Sequence, residues 1–377
     1  MPRPKRSKGL RRLRLALIVG SVAGFAAAYR FALRYRERVG LPTPSPVDSS
    51  PADFGLDFSE VEIPAGDHRL AGWFVPAAAE AARPRRRAAA AASAEPATMP
   101  EPERRPAIAI VHGWESNRGR TFAHARYLHA AGFHCLVFDV RGHGDNPPET
   151  VAMNVPEFAD DIAAAARWLA ARPEVSAVGV LGHSMGAAGA IVAATREPKI
   201  EAVVSASAPA DLVRITRKTF EMAGMNIPES IATPLAWFTA AILLVPRRHS
   251  VEEASATSAA ARYRGPLLLI HGAHDHGVPV EHLELIGRAA AKHRTVGDAP
   301  VETLVLPEFG HRWLYEDAGC RRKTAAFFAR WLHSPISPEN AGELAAACVV
   351  ERPADPVYGF GALAGKTPPG DRALNLN

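Results

Sequence analysis

Three residues have the types and the spacing to run nucleophilic acyl chemistry: Ser184, Asp275 and His311. Ser184 lies in Gly182-His183-Ser184-Met185-Gly186, an instance of G-x-S-x-G. The β-prone run Val178–Leu181 precedes it and the small-residue run Ala187–Ala190 follows it. A serine on a sharp strand-to-helix turn presents its Oγ to the open, and the flanking glycines let strand and helix approach closely. The N–H groups at the start of the following helix point to where negative charge develops when the hydroxyl attacks a carbonyl. The plain alternative is a Gly/Ser turn that merely joins a strand to a helix.

A nucleophilic serine needs a base, and the base needs an orienting group. Asp275 lies in His271-Gly272-Ala273-His274-Asp275-His276-Gly277-Val278-Pro279, just past the apolar run Leu267–Ile270. His311 lies in Pro307-Glu308-Phe309-Gly310-His311, just past Val301–Leu306. All three residues therefore fall at the carboxyl ends of strands, the edge at which sites form in parallel sheets. His274 and His276 flank Asp275 and compete for the role of orienting group or base, but His311 alone follows the last strand. His112 and His183 read as loop-packing residues and His143 as holding its turn. Asp139, Asp145 and Asp160-Asp161 read as turn and helix-start residues. The histidine spacings match no metal-ligand motif, and no cofactor is expected. Cys135, Cys320 and Cys348 are odd in number and widely spaced, which excludes a disulfide framework, and Cys135 reads as a small core residue.

The elements that must position these residues follow from the hydropathy pattern. Strands are expected at 107–111, 134–139, 177–181, 201–206, 266–270 and 301–306. Helices are expected near 120–131, 156–171, 185–196, 279–293 and 319–332. Continuous apolar strands such as Ile108–Val111 suit a parallel sheet covered on both faces. Val61–Ile63 and Leu70–Val75 flank Ala65-Gly66-Asp67-His68 and read as an antiparallel hairpin leading into a doubly wound α/β sheet. Residues 77–106 carry few large apolar side chains and are expected to be a disordered insertion, with Arg85-Arg86-Arg87 as a solvated run. The interval 211–262 is long for a strand connection and carries apolar pieces at Thr219–Met225 and Leu235–Val245. It is expected to be a helical lid rather than surface padding. The tail 334–377 is expected to be mostly disordered.

Taken together, these motifs resemble those of the α/β-hydrolase superfamily over about residues 56–333. The resemblance rests on Val111-His112-Gly113-Trp114, Asp139-Val140-Arg141-Gly142-His143-Gly144, the serine motif, His271-Gly272 through Asp275 with Val278-Pro279, and Gly310-His311. Within the superfamily they are similar to the bacterial prolyl-oligopeptidase-like and monoacylglycerol-lipase-like branch. The resemblance implies an α/β-hydrolase fold with a helical lid. It also implies a serine hydrolase in which Ser184 attacks, His311 acts as base and Asp275 orients it. The backbone N–H groups of Trp114 and Met185 would hold the oxyanion. Asn146 departs from the family, which often has Ser or Thr at that place, and this bears on loop capping. A carboxylic ester of a small-molecule acyl substrate is the leading expectation. A peptidase or amidase on the same residues is the nearest rival, and a non-catalytic binding module the remote one.

The remaining features concern location. The chain has 377 residues and a net charge of +5, with seven basic residues among the first fourteen. The charge is thus local, and no nucleic-acid partner is expected. The uncharged run Leu15–Tyr29 would span about 22 Å as a helix, and flanking arginines could extend its reach toward Leu33. A single-pass signal anchor over 1–40, followed by a linker at 41–55, is the leading expectation. A cleaved signal peptide ending near Ala26-Ala27-Ala28, or a short amphipathic or cytosolic helix, are the alternatives. The excess of basic residues before the run puts the N-terminus in the cytoplasm and the catalytic domain on the other side. Gly20 and Gly24 form a G-x-x-x-G through which two copies could self-associate.

Overall fold

In the computed structural model, residues 8–78, 104–292 and 294–350 are described. The expected insertion at 77–106 and its Arg85-Arg86-Arg87 run fall almost wholly outside them, as do residues 351–377.

The centre is an eight-stranded sheet: β1 (Ser59–Ala65), β2 (His68–Val75), β3 (Arg105–Val111), β4 (His134–Phe138), β5 (Val175–His183), β6 (Ala202–Ala206), β7 (Leu267–Gly272) and β8 (Val301–Leu306). Their spatial order is β1-β2-β4-β3-β5-β6-β7-β8. β1 and β2 form the antiparallel hairpin, β2 runs antiparallel to β4, and every pairing from β4 to β8 is parallel. Alternate residues face opposite layers, as the twofold period of a strand requires. Ala107, Ala109 and Val111 join one core with α3 (Val155–Ala170), α4 (Met185–Ala194) and α8 (Glu281–Lys292). Ile108 and Ile110 join the other with α2 (Arg118–Ala130), α9 (Ala318–Trp331) and α10 (Pro338–Ala347). This is the expected mostly parallel, doubly wound sheet.

Over the carboxyl edge of the sheet, residues 211–262 form α5 (Leu212–Met222), α6 (Glu229–Leu244) and the short α7 (Ala256–Ala260). Both longer helices begin earlier than their apolar pieces suggested. In α5 the buried stripe Leu212, Thr216, Thr219 and Phe220 follows a helical period but is interrupted in sequence by Arg214, Arg217 and Lys218. Asp211 caps it by accepting the Arg214 N–H at 2.9 Å. In α6, Pro234 lies inside the helix, one residue before the apolar piece begins.

Two boundaries differ from expectation. The first helix, α1 (Lys8–Val39), is 32 residues long and does not end with the apolar run. Through about residue 27 it is exposed; from there Ala28, Phe31, Ala32, Tyr35 and Val39 turn one face onto the domain. Phe31 and Tyr35 pack edge-on against Phe220 of α5, with ring centroids 5.4 and 5.9 Å apart. The segment after α1 is docked rather than free-standing. Gly40 accepts the Met153 N–H at 2.9 Å, and Asn117 Nδ2 donates to Pro46 O at 2.8 Å. The anchor and linker expected at 1–40 and 41–55 are therefore joined to the domain from about residue 28 onward. The tail also contains order: α10 packs on α9, and Arg321 donates to the carbonyls of Ala345 and Ala346 near its end at 3.1 and 2.9 Å. A Cβ at Gly20 or Gly24 would meet nothing within 4 Å beyond the backbone of its own helix.

Candidate active site

Ser184 stands between β5 and α4 with φ 54 and ψ −119, a backbone geometry that L-residues rarely adopt. Holding a serine there costs on the order of 1–3 kcal/mol, which the surrounding contacts must supply. They can be named. Ser184 N–H donates to Ala206 O at 2.9 Å, and its carbonyl accepts from Ala187 and Ala188 at the start of α4. A Cβ at Gly182 would lie 2.3 Å from Gly186 O, and one at Gly186 would lie 2.3 Å from His112 O. Both glycines are thus required by close backbone approach.

The other two residues arrive on neighbouring loops. β7 ends at Gly272, where a Cβ would fall 2.2 Å from Gly310 O. That close fit brings the loop after β7 against the loop after β8, and Ala273 and His274 N–H groups donate across to Leu306 O and Phe309 O, each at 2.9 Å. Asp275 Oδ1 accepts the backbone N–H groups of Gly277 and Val278 at 3.0 and 2.7 Å. Its Oδ2 faces His311 Nδ1 at 2.6 Å. Ser184 Oγ lies 3.0 Å from His311 Nε2. The carboxylate takes the Nδ1–H, so Nε2 is left to accept the serine proton. Burial would raise the Asp275 pKa. The facing His311 imidazole, hydrogen bonds from His271 and His311, and the Val278 N–H outweigh it and hold the carboxyl well below the usual carboxylate range. The group is therefore an anion at neutral pH. The arrangement can move a proton from a hydroxyl to an imidazole while a buried charge steadies the cation that forms.

The structure brings Ser184, Asp275 and His311 together and leaves His274 and His276 exposed on the rim of the loop. His183 and His112 have the packing roles expected of them. His183 Nε2–H donates to His311 O at 2.8 Å, tying the loop that carries His311 to the serine turn. His112 donates from Nδ1 to Gly113 O at 2.7 Å and accepts the Val140 N–H at Nε2, 3.1 Å away. Burial lowers their pKa to about 3 and about 4 respectively, so both are neutral. His143 holds its turn by donating to Arg141 O at 2.8 Å. A Cβ at Gly113 would lie 2.9 Å from Ser184 Cβ, so the loop bearing Trp114 runs directly beside the serine. Trp114 and Met185 line the same cavity as Ser184.

Asp161 differs from its sequence reading. It lies inside α3, fully buried, and accepts the Arg141 N–H at 2.9 Å and Arg141 Nε at 3.0 Å. It ties the loop after β4 to α3 rather than starting a helix. Asn146 does the work of a cap: its Oδ1 accepts the Ala71 N–H at 2.9 Å, and its Nδ2 donates to Asp139 O at 2.7 Å. His271 was missed as a site residue. Its Nε2 sits 2.7 Å from Val278 O and 3.3 Å from Asp275 Oδ2, so it braces the acidic loop. Its place at a strand end, four residues before the carboxylate, was the available signal. Tyr35 and Val39 of α1 were also missed; both line the cavity over Ser184.

That cavity holds about 160 Å³ and is walled by Leu212 and Ile215 from α5, Leu243 from α6 and Leu314 beyond His311. Glu115 is the carboxylate in its lining, and burial raises the pKa of that group. Among the described residues, no group of three or more His, Cys, Asp or Glu is placed to hold a metal ion.

Comparison with known proteins agrees with this layout. Residues 102–242 match the family model described as serine aminopeptidase, S33. An uncharacterized protein of Mycobacterium tuberculosis is 26% identical over 306 residues, covering 81% of this chain and 89% of that protein. An esterase of Pyrococcus furiosus superposes with a TM-score of 0.55 at 22% identity, over 77% of this chain and 99% of that one. An acylaminoacyl peptidase of Pyrococcus horikoshii covers 84% of this chain and 46% of its own, with a TM-score of 0.49 at 14% identity. The sheet order and the serine turn are those of an α/β-hydrolase fold, and residues 102–242 match a serine-hydrolase family model.

Proposed function

We propose that the chain hydrolyses carboxylic esters through an acyl-enzyme on Ser184. The observation that carries this reading is the hydrogen-bonded series Ser184–His311–Asp275 opening into an apolar cavity. Ser184 Oγ bonds to the acyl carbon as its proton passes to His311 Nε2. The oxyanion, held by the Trp114 and Met185 N–H groups, collapses and breaks the bond to the alcohol oxygen, which leaves with that proton. Water, deprotonated by the same nitrogen, then adds to the acyl carbon, frees Ser184 and releases the carboxylic acid.

The family description favours one second reading, an aminopeptidase on the same residues. Such an enzyme needs an anion to receive the free amine of its substrate. Glu115 is the candidate, and burial raises its pKa, which disfavours the anion that such a site needs. We further propose that the exposed part of α1 is a membrane anchor with the N-terminus in the cytoplasm. Ahead of the turns docked on the domain, the apolar helix Arg11–Val39 leaves Leu13, Leu15, Leu17, Ile18, Val19 and Val22 exposed.

The test pairs a fluorophosphonate probe with two substrate series on the full-length protein. Labelling that disappears in Ser184→Ala, with turnover of p-nitrophenyl esters and little of aminoacyl p-nitroanilides, is the expected result. Preferred turnover of the anilides, weakened by Glu115→Gln through KM, would establish the aminopeptidase instead.

A further inference from the structure

The cavity over Ser184 has a wall that no α/β sheet supplies. Tyr35 and Val39, from the last turns of α1, face it together with Ile215 and Thr219 of α5 and Leu243 of α6. Their position is fixed. Phe31 and Tyr35 pack on Phe220, and the backbone at Gly40 is so tightly seated that a Cβ there would come within 2.7 Å of both Ala152 Cβ and Leu243 Cδ1. These contacts tie the width of the cavity to the placement of the helix.

The same helix carries an apolar surface away from the domain. Phe25, 63% exposed, still touches α6 through Phe238, with ring centroids 5.7 Å apart. α6 in turn exposes Ile231 at 58% and Trp237 at 55%. A solvent-exposed surface of large apolar side chains running across two adjacent helices is the signature of an interaction site. Its occupant is indicated by its own geometry. One end continues into a helix long and apolar enough to cross a bilayer, and the other carries Leu243 into the cavity. Ten residues separate Phe25 from Tyr35, about 15 Å along the helix axis. A bilayer that receives α1 up to Phe25 therefore also meets the outer face of α6, within one such length of the cavity.

We propose that α1 is part of the substrate site. Tyr35 and Val39 determine which acyl chains fit, and the substrate is a lipid acyl ester that enters from the bilayer along the edge between α1 and α6. This rests on the reading of Ser184 as the acyl-accepting nucleophile. Exposure of α6 then serves delivery: the apolar tail of the lipid passes from hydrocarbon to cavity lining without crossing water.

The test uses the full chain. In detergent micelles, Val39→Trp narrows the cavity and should lower the ratio of dodecanoyl to acetyl p-nitrophenyl ester kcat/KM at least tenfold. Val39→Ala should raise it at least threefold. Glu37→Ala, on the exposed side of α1, should leave the ratio within twofold. In phosphatidylcholine vesicles carrying a 4-methylumbelliferyl dodecanoate probe, Ile231→Asp should lower turnover at least tenfold more than it does for the same probe in micelles. If neither Val39 variant moves the ratio, while Ser184 still takes the fluorophosphonate probe, α1 is not a wall of the site. If Ile231→Asp acts equally in vesicles and micelles, delivery from the bilayer along α6 is wrong. A wild-type chain that neither labels at Ser184 nor turns over short esters would instead remove the hydrolase reading beneath the proposal.

Discussion

Asp275→Asn is the sharpest probe of the proposed chemistry, because the structure dictates how the new amide must sit. Oδ1 of Asp275 accepts two backbone N–H groups, from Gly277 and Val278. An asparagine that placed its NH₂ there would set donors against donors, so its oxygen must take that position. The NH₂ then faces His311 Nδ1, where the carboxylate had accepted a proton at 2.6 Å. To satisfy it, Nδ1 must become an acceptor and the ring proton must move to Nε2. That nitrogen now points an N–H at Ser184 Oγ and cannot take its proton. Geometry is preserved while the base is in the wrong tautomer, a change that lowers kcat by about 10⁴, or roughly 5.4 kcal/mol at 1.36 kcal/mol per decade. The assay is p-nitrophenyl butyrate turnover at neutral pH, with the melting temperature as a check on folding. The rate of fluorophosphonate labelling should fall in parallel, since it uses the same activated oxygen. Adding Asp275→Asn to Ser184→Ala should change the residual rate little, because the groups act as a unit. A folded Asp275→Asn enzyme within tenfold of wild type would refute the reasoning and return His274 and His276 to consideration.

Two further expectations concern the fold around the site. Deleting residues 1–27 should leave a folded, active domain freed from membranes. Deleting 1–40 removes Phe31, Tyr35 and Val39 and uncovers Phe220; at about 1.5–3 kcal/mol per large side chain, that loss is on the order of 5 kcal/mol or more and comparable to the whole stability of a domain. Urea unfolding should separate the two truncations, and equal midpoints would show that the docked turns of α1 contribute nothing. Stability should also fall as pH drops. Burial lowers the pKa of His112 and His282 to about 4 and of His124, His143 and His183 to about 3, against about 6.5 when unfolded. Their contribution is present above pH 6.5 and is lost as pH falls from there to about 3 to 4. Asp139, raised by burial to about 6, works in the opposite sense and offsets about one proton. Five lowered histidines against one raised carboxyl leave the unfolded chain binding more protons near pH 5, so stability falls as pH drops. Urea midpoints that match at pH 7 and pH 5 would contradict this.

What could be read from the amino acids follows from how local each constraint is. The serine turn and the acidic loop carry glycines, because backbones there approach too closely for a Cβ, and the chain order then aligns them with Gly310-His311 at one sheet edge. Strand positions were legible because apolar runs buried on both faces need no partner to be recognised. α5 and the docked half of α1 were harder for one shared reason. Their buried stripes are spaced by three and four and are interleaved with arginines that point outward, such as Arg34 and Arg38. Read as a linear run, charge ends the helix; read on a helical wheel, it marks the far side. α10 was missed because its burying residues are small, Ala341, Gly342 and Ala345, and the partner that gives them value is α9. Asp161 takes its role from Arg141 and His68, both distant in sequence, and no local pattern announces it.

One feature of α1 reaches beyond binding. Between Phe25 and Val39 the helix contains neither glycine nor proline, so it has no hinge between its protruding half and the turns that face the cavity. A rod of that kind transmits tilt. With the protruding half in a bilayer, hydrocarbon thinner or thicker than its apolar length would be met by tilting or by local deformation of the membrane. Any tilt would swing Tyr35 and Val39 against the fixed rim formed by Ile215 and Leu243. Acyl-chain preference would then follow the thickness of the host membrane, making the width of the cavity a property set jointly by protein and lipid.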